Sequence, residues 1–202
     1  KFFRIINIRT KTMIIPTDNI NAKSDNELVA LALADKGYFL YLLRRYEDKL
    51  KRYIYRISNF SNEEVEDVLQ EVFLKVYKNL NDFDSDLKFS SWIYRITHNQ
   101  VVSHHRQSLA RPKVVEIDEI VIEKIKDEFN VDDKIQLDYL RREISQILDY
   151  LKPKYREILI LRFFEEKSYE EISDILKKPS GTVATLIHEA KKEFKNYWLK
   201  NK

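Results

Sequence analysis

The 202-residue chain carries 36 Lys and Arg against 33 Asp and Glu, a formal net charge of +3, with only 2 Gly and 4 Pro. So few turn formers favour long helices over a many-stranded sheet, and the length allows one large domain or two small ones. The lack of Cys excludes disulfides and thiolate metal sites, no apolar run reaches the ~20 residues of a membrane span, and the slight positive excess is only a weak argument for a nucleic-acid partner.

The opening stretch KFFRIINIRTKTMIIP is basic and apolar, without the continuous apolar core and small-residue cleavage site of a signal peptide. Residues 1–23 read as a disordered arm. Ser24 and Glu27 have capping-box spacing ahead of Leu28, Val29, Leu31, Ala32 and Leu33, which predicts a short helix stopped near Gly37. Tyr38–Ile57 keeps helical spacing through Leu42, Tyr46, Leu50, Tyr53, Ile54 and Ile57, and its aromatics read as core.

Ser61 and Glu64 cap the next helix, whose Val65, Val68, Leu69, Val72, Phe73, Val76 and Leu80 form a wide apolar stripe. At 100° per residue Asp67, Gln70, Glu71 and Lys78 fall on the far side, with Leu74 among them. A lone exposed Leu needs no explanation, yet a Leu ringed by polar groups also has the plan of a protein interface. Spacing alone favours neither reading.

NDFDSDLKF, residues 81–89, is a loop of Asn and Asp turn formers. Ser90 is the expected cap of the helix SSWIYRITHNQVVSHHR, with Trp92, Ile93 and Ile96 on its inner face and Tyr94, His98, Val101 and His105 on another. No acid occurs from Lys88 to Val115, while Lys88, Arg95, Arg106, Arg111 and Lys113 add positive charge. Cations interleaved with aromatics suit unpaired bases, which stack on rings while cations hold phosphate. A packed amphipathic helix with a solvated basic end fits the same pattern, and Trp92 reads as core. His104 and His105 point about 100° apart on a helix, so the histidines do not suggest a metal site.

Residues 107–133 turn from basic to acidic and read as a flexible linker that, fully extended, spans about 90 Å. Lys134–Leu151 is amphipathic, and Pro153 suits the first turn of the helix that follows. Ser168 and Glu171 cap a short helix with apolar Ile172, Ile175 and Leu176. The stretch Lys177-Lys178-Pro179-Ser180-Gly181 is expected to break it, because Pro179 has no N–H to donate and Gly181 is conformationally permissive, and Val183, Ile187, Ala190 and Phe194 then recur on one side of a second helix. Thr182, Thr185, His188, Glu189 and Lys192 occupy the other side. This is the plan of a helix-turn-helix, which lays the polar side of its second helix in a DNA major groove. Phe194, Tyr197, Trp198 and Leu199 are expected to close the core.

Two separated segments resemble one family. EVEDVLQEVFLKVYKNLNDFDSDLKFSSWIYRITHNQVVSHHR is similar to the second conserved region of bacterial sigma-70 factors, and YREILILRFFEEKSYEEISDILKKPSGTVATLIHEAKKEF to their fourth. No third region is evident, a layout that resembles the extracytoplasmic-function group. The resemblance implies an all-α protein of two helical domains, residues 24–106 and 134–202, the second holding the helix-turn-helix. It implies a non-enzymatic, cytoplasmic subunit of RNA polymerase that recognises promoters and needs no metal or cofactor. Asp67, Gln70, Glu71, Leu74 and Lys78 match positions that dock on the clamp coiled coil of the largest polymerase subunit. Phe83, Asp84, Lys88, Phe89, Arg95, His98, Asn99, His105 and Arg106 match the part that opens the −10 element and holds it single-stranded. Ser103 replaces a frequent Asp there. Ser180, Thr182, Thr185, His188, Glu189, Lys191 and Lys192 match the reader of the double-stranded −35 element, although relatives often carry Lys or Arg at Ala184, Leu186 and Glu189. Small relatives are commonly held by an anti-sigma factor, a further expected partner. The alternative is a sigma-like or helix-turn-helix regulator that does not itself initiate transcription.

Overall fold

The computed structural model describes Ile20, residues 22–106 and residues 137–200. Among the described residues every regular element is helical. Four α-helices form an N-terminal lobe: α1 (Asp25–Ala34), α2 (Phe39–Ile57), α3 (Asn62–Lys78) and α4 (Phe89–His105). Four more form a C-terminal lobe: α5 (Leu137–Tyr150), α6 (Pro153–Leu159), α7 (Tyr169–Leu176) and α8 (Ser180–Lys200). The expected linker over 107–133 lies outside the described residues, as does most of the N-terminal arm.

Three helices begin as the capping boxes require. Ser24, Ser61 and Ser168 each accept from the backbone N–H three residues on, and Glu27, Glu64 and Glu171 each reach back to the cap N–H. Two orphan donors are satisfied at each start, which fixes the entry of α1, α3 and α7. Pro153 opens α6 at its first turn.

The N-terminal core sits between α2, α3 and α4. Leu50, Tyr53 and Ile54 of α2 meet Val65, Val68, Val72 and Val76 of α3 and Ile93 of α4, all fully buried. An aromatic group closes one end: Phe83 packs 5.5 Å from Phe89 and 5.4 Å from Trp92, and Phe89 also packs 5.5 Å from Tyr46. In the C-terminal lobe Ile144, Ile147, Leu148, Ile158 and Leu161 meet Ile172, Ile175, Val183, Ile187, Ala190 and Phe194. The buried residues of both lobes belong to one continuous cluster.

Five local expectations are corrected. Ile20, assigned to the arm, is 1% exposed and packs in the core. Its neighbour Lys23 is tied down through its carbonyl, which accepts from Arg45 Nη1 at 2.9 Å. Gly37 is not a left-handed cap; α1 stops at Asp35, whose carboxylate accepts from the Gly37 N–H at 2.8 Å. Helix α4 starts at Phe89, with Lys88 rather than Ser90 at the cap and no side-chain capping bond, because Phe89 is drawn into the aromatic group. The turn of the helix-turn-helix falls within the expected stretch from Lys177 to Gly181, but its left-handed residue is Lys177, at φ 51°; Gly181 lies inside α8 with a negative φ and an open Cβ position. Leu199 is 62% exposed and closes nothing.

Candidate nucleic-acid interface

Helix α8 separates its two jobs by face. Val183, Ile187, Ala190, Phe194 and Trp198 are buried, so the helix is anchored along its whole length. Ser180, Thr182, Thr185, His188, Glu189 and Lys192 are exposed, with Lys191 half-buried at the margin. Thr185 donates its hydroxyl to the Gly181 carbonyl at 3.0 Å. Glu189 is held from α6: the Tyr155 phenol donates to its Oε2 at 2.9 Å. The carboxylate is therefore oriented by a second helix, an arrangement that the spacing along α8 gave no sign of.

The expected −10 residues divide. Asp84 caps its own loop, accepting from the Asp86 N–H at 3.0 Å, and remains exposed. Asn99, His105 and Arg106 are exposed, and Arg95 is half-exposed. Phe83 is half-buried against Phe89 and Trp92. Phe89 is 1% exposed, so its ring cannot stack on a base and it is reassigned to the core. His98 and Lys88 each meet a carboxylate of the C-terminal lobe: His98 Nδ1 lies 2.6 Å from Glu157 and Lys88 Nζ 3.4 Å from Glu171.

The expected docking residues share one side of α3. Asp67, Glu71 and Lys78 are exposed; Gln70 and Leu74 are half-exposed. Glu71 is tied to α4, since Gln100 donates to its carboxylate and Lys75 donates to the Gln100 carbonyl oxygen. That brace ties α3 to α4. Among the described residues no group of His, Asp or Glu is placed to hold a metal ion. His104 instead lies 4.7 Å from the Phe60 ring. No helix among them is long and apolar enough to cross a membrane.

The lobes meet along α4, and the contact is polar at its centre. Glu157 of α6 receives the Tyr53 phenol at 2.7 Å, and the same oxygen lies 2.6 Å from His98 Nδ1. Glu165 follows a single π-helical turn, Ile160–Phe164. It pairs with Arg56 of α2 at 3.1 Å and receives the Tyr94 phenol of α4 at 2.5 Å. The side chains of Arg56 and Glu165 are 4% and 7% exposed. Burial first, and the adjacent carboxylates next, push the Tyr53 and Tyr94 phenols well above their ordinary range, so both stay protonated donors at neutral pH. Sequence reasoning named His98 but gave no role to Arg56, Glu157 or Glu165, and read Tyr53 only as core. The one available signal was a charge on an apolar side: Glu157, Leu161 and Glu165 recur at i, i+4 and i+8.

Two conserved sequence patterns match the chain: Sigma-70 region 2 over residues 42–110 and Sigma-70, region 4 over residues 141–194. The ECF RNA polymerase sigma factor SigW of Bacillus subtilis is 31% identical over 163 residues, covering 78% of this chain and 87% of that protein. The chain belongs to the sigma-70 family, in its extracytoplasmic-function (ECF) branch. This ECF chain is also 30% identical over 168 residues to the ECF sigma-E factor of Escherichia coli, covering 80% of this chain and 87% of that protein. The solved structure of CnrH in complex with the cytosolic domain of CnrY shares the fold: TM-score 0.66 at 22% identity, covering 89% of this chain and 100% of that one. So does the sigma factor RpoE of Bartonella quintana, solved with the anti-sigma factor NepR, at TM-score 0.58, 18% identity and coverages of 81% and 98%.

Proposed function

We propose that this ECF sigma chain is a dissociable, non-enzymatic, cytoplasmic subunit of RNA polymerase that recognises promoters at −35 and −10 and helps to melt the −10 element. The observation that carries the reading is α8, with an unbroken buried stripe on one side and Ser180, Thr182, Thr185, His188, Glu189 and Lys192 presented on the other. An anchored helix with short polar side chains outward is what a major groove admits. Thr methyl groups touch thymine methyls, and Glu189 accepts from cytosine N4 on the oxygen that Tyr155 leaves free. Few cations line this side, so specificity rests on those contacts and on DNA shape more than on guanine-reading arginines.

At −10 the single strand follows α4. Lys88, Arg95 and Arg106 hold phosphates, while His98, Asn99, His105, Asp84 and Phe83 meet bases or sugars. Flipping a base costs a few kcal/mol, which a fitted pocket offsets. The face Asp67, Gln70, Glu71, Leu74 and Lys78 docks on the clamp coiled coil of the largest polymerase subunit, with Leu74 as the apolar centre of a polar rim. Core polymerase then supplies most of the affinity by holding both lobes in register on one DNA. An anti-sigma factor is a further partner in this reading. Run-off transcription on genomic fragments, with core polymerase and with or without the chain, tests it. Selective transcripts dependent on the chain are expected; their absence overturns it.

A further inference from the structure

We propose that Asn26 of α1 is a positioning residue for promoter opening: it holds the Ser85 carbonyl, and so keeps the loop of residues 83–88 shaped for the −10 strand before DNA arrives. The proposal rests on the reading of that loop as part of the −10 machinery.

The loop is built around one peptide unit. Asn26 Nδ2 donates to the Ser85 carbonyl at 2.9 Å, across 59 positions of sequence. The Asp86 N–H, at the other end of the same peptide, donates to Asp84 Oδ1 at 3.0 Å. The Asp84 carbonyl accepts from the Leu87 N–H at 3.0 Å, which closes a four-residue turn over residues 84–87. The peptide between Ser85 and Asp86 is the central unit of that turn, and it is held at both ends. Rotating it by half a turn gives the turn type that needs a positive φ at the third residue. That residue is Asp86, whose φ is not positive. Asn26 therefore adds a side-chain lock to the conformer that a non-glycine residue already prefers.

The donor is itself fixed. Asn26 lies in the first turn of α1, next to Asp25, and Leu28 and Val29 of the same helix are buried. Asp25 accepts from Arg45 Nη1 at 2.8 Å on one oxygen and from the Tyr46 phenol on the other. Burial first, and the hydrogen bond to Asp25 next, push the Tyr46 phenol well above its ordinary range, so it stays a donor at neutral pH. The Tyr46 ring meanwhile packs on Phe89, and Phe89 packs on Phe83, where the loop begins. Tyr46 thus supports the loop by two routes: its hydroxyl acts through Asp25 and α1, and its ring through Phe89.

Such order bears on strand capture. A loop that receives a strand must lose backbone freedom, and freedom already lost in the unbound chain does not oppose binding. Asp84, one of the residues assigned to bases, belongs to the same turn. Its Oδ1 is taken by the Asp86 N–H, so the direction of its second oxygen depends on where that peptide stands. Asn26 and Ser85 are both exposed, so core packing of their side chains does not impose the bond between them. Asn26 acts on the strand through the turn and Asp84.

The test uses holoenzyme and a promoter found by run-off transcription. Binding of its fluorescent non-template −10 strand is measured for the intact strand and for strands with one abasic site at each position in turn. Parent holoenzyme should lose about tenfold at the base that the loop meets, the size expected for one captured base. Asn26→Asp keeps the shape, removes the donor and puts an acid in the first turn of a helix, where the dipole favours it. Asn26→Leu removes the donor without adding charge. Both variants should bind the intact strand about three- to tenfold more weakly, the size of one neutral hydrogen bond. Both should also lose correspondingly less at that one abasic position, because the two changes remove the same contact. Protection of the −35 duplex by the same holoenzymes should not change. Binding equal to the parent's, losses that simply multiply with the abasic loss, or equal weakening at −35 would overturn the positioning role. A parent indifferent to every abasic position would overturn the reading of the loop, and the proposal with it.

Discussion

Truncating Ile187 tests whether α8 is divided between anchor and reader. Ile187 is 2% exposed at the middle of the buried stripe of α8, a helix that packs on α6 and α7. Ile187→Ala removes three carbons from that packing. Transfer alone costs about 0.8 kcal/mol per carbon, and a residual cavity adds to it, giving a loss of about 3 kcal/mol. For a chain of this length that corresponds to a fall in Tm of about 6–12 °C, read by circular dichroism at 222 nm. His188→Ala, one residue on and exposed, should move Tm by less than about 2 °C, since exposed substitutions stay within about 0.5 kcal/mol. The same His188 variant should weaken promoter binding by the holoenzyme. A fall of less than about 2 °C for Ile187→Ala, or a larger fall for His188→Ala, would refute the division of faces.

Other perturbations address other parts of the account. Leu74→Asp should abolish binding to core polymerase in a pull-down while leaving helical content unchanged, because Leu74 is half-exposed and outside the packed core; retained binding would make it an ordinary surface Leu. Ser168→Ala removes the cap of an eight-residue helix and should cost about 1 kcal/mol, read from urea unfolding. Tyr155→Phe should leave stability within about 1 kcal/mol but relax the base preference opposite Glu189, measured by holoenzyme binding to a −35 library; an unchanged preference would remove Tyr155 from the reader. Binding of DNA should follow salt with a log–log slope no steeper than about −4, since Lys88, Arg95 and Arg106 at −10 and the candidate −35 cations Lys191 and Lys192 each contribute about −0.7 to −0.9 if they neutralise a phosphate.

Much of the architecture was legible because it is local. The Ser–Glu pairs at 24 and 27, 61 and 64, and 168 and 171 each specify a helix start through bonds three residues apart, and all three form. The stripe from Val183 to Phe194 needed only the helical period. The errors arose where tertiary packing outranked local preference. Ser90 is a better cap than Lys88, but starting α4 at Phe89 seats that ring between Tyr46, Phe83 and Trp92. The turn before α8 lies in the expected stretch, but its left-handed residue is Lys177, at the end of α7, and Gly181 is taken into α8. The interlobe carboxylates were the least legible. Tyr53 and Glu157 are 104 positions apart and Tyr94 and Glu165 are 71 apart, and no periodicity connects such pairs. Helical spacing gave the outward side of α8 and the polar face around Leu74, family resemblance gave the −10 and docking roles, and spacing alone left Leu74 open.

The central claim is that one chain joins duplex reading at −35 to strand opening at −10, and permanganate footprinting tests it most directly. Permanganate oxidises unstacked thymines, so it marks melted DNA on a promoter fragment selected by run-off transcription. The account predicts reactive thymines at the −10 element only when core polymerase and the chain are both present, with protection of duplex about 25 base pairs between element centres upstream. Reactivity with core polymerase alone, or protection at −35 without any melting at −10, would contradict it.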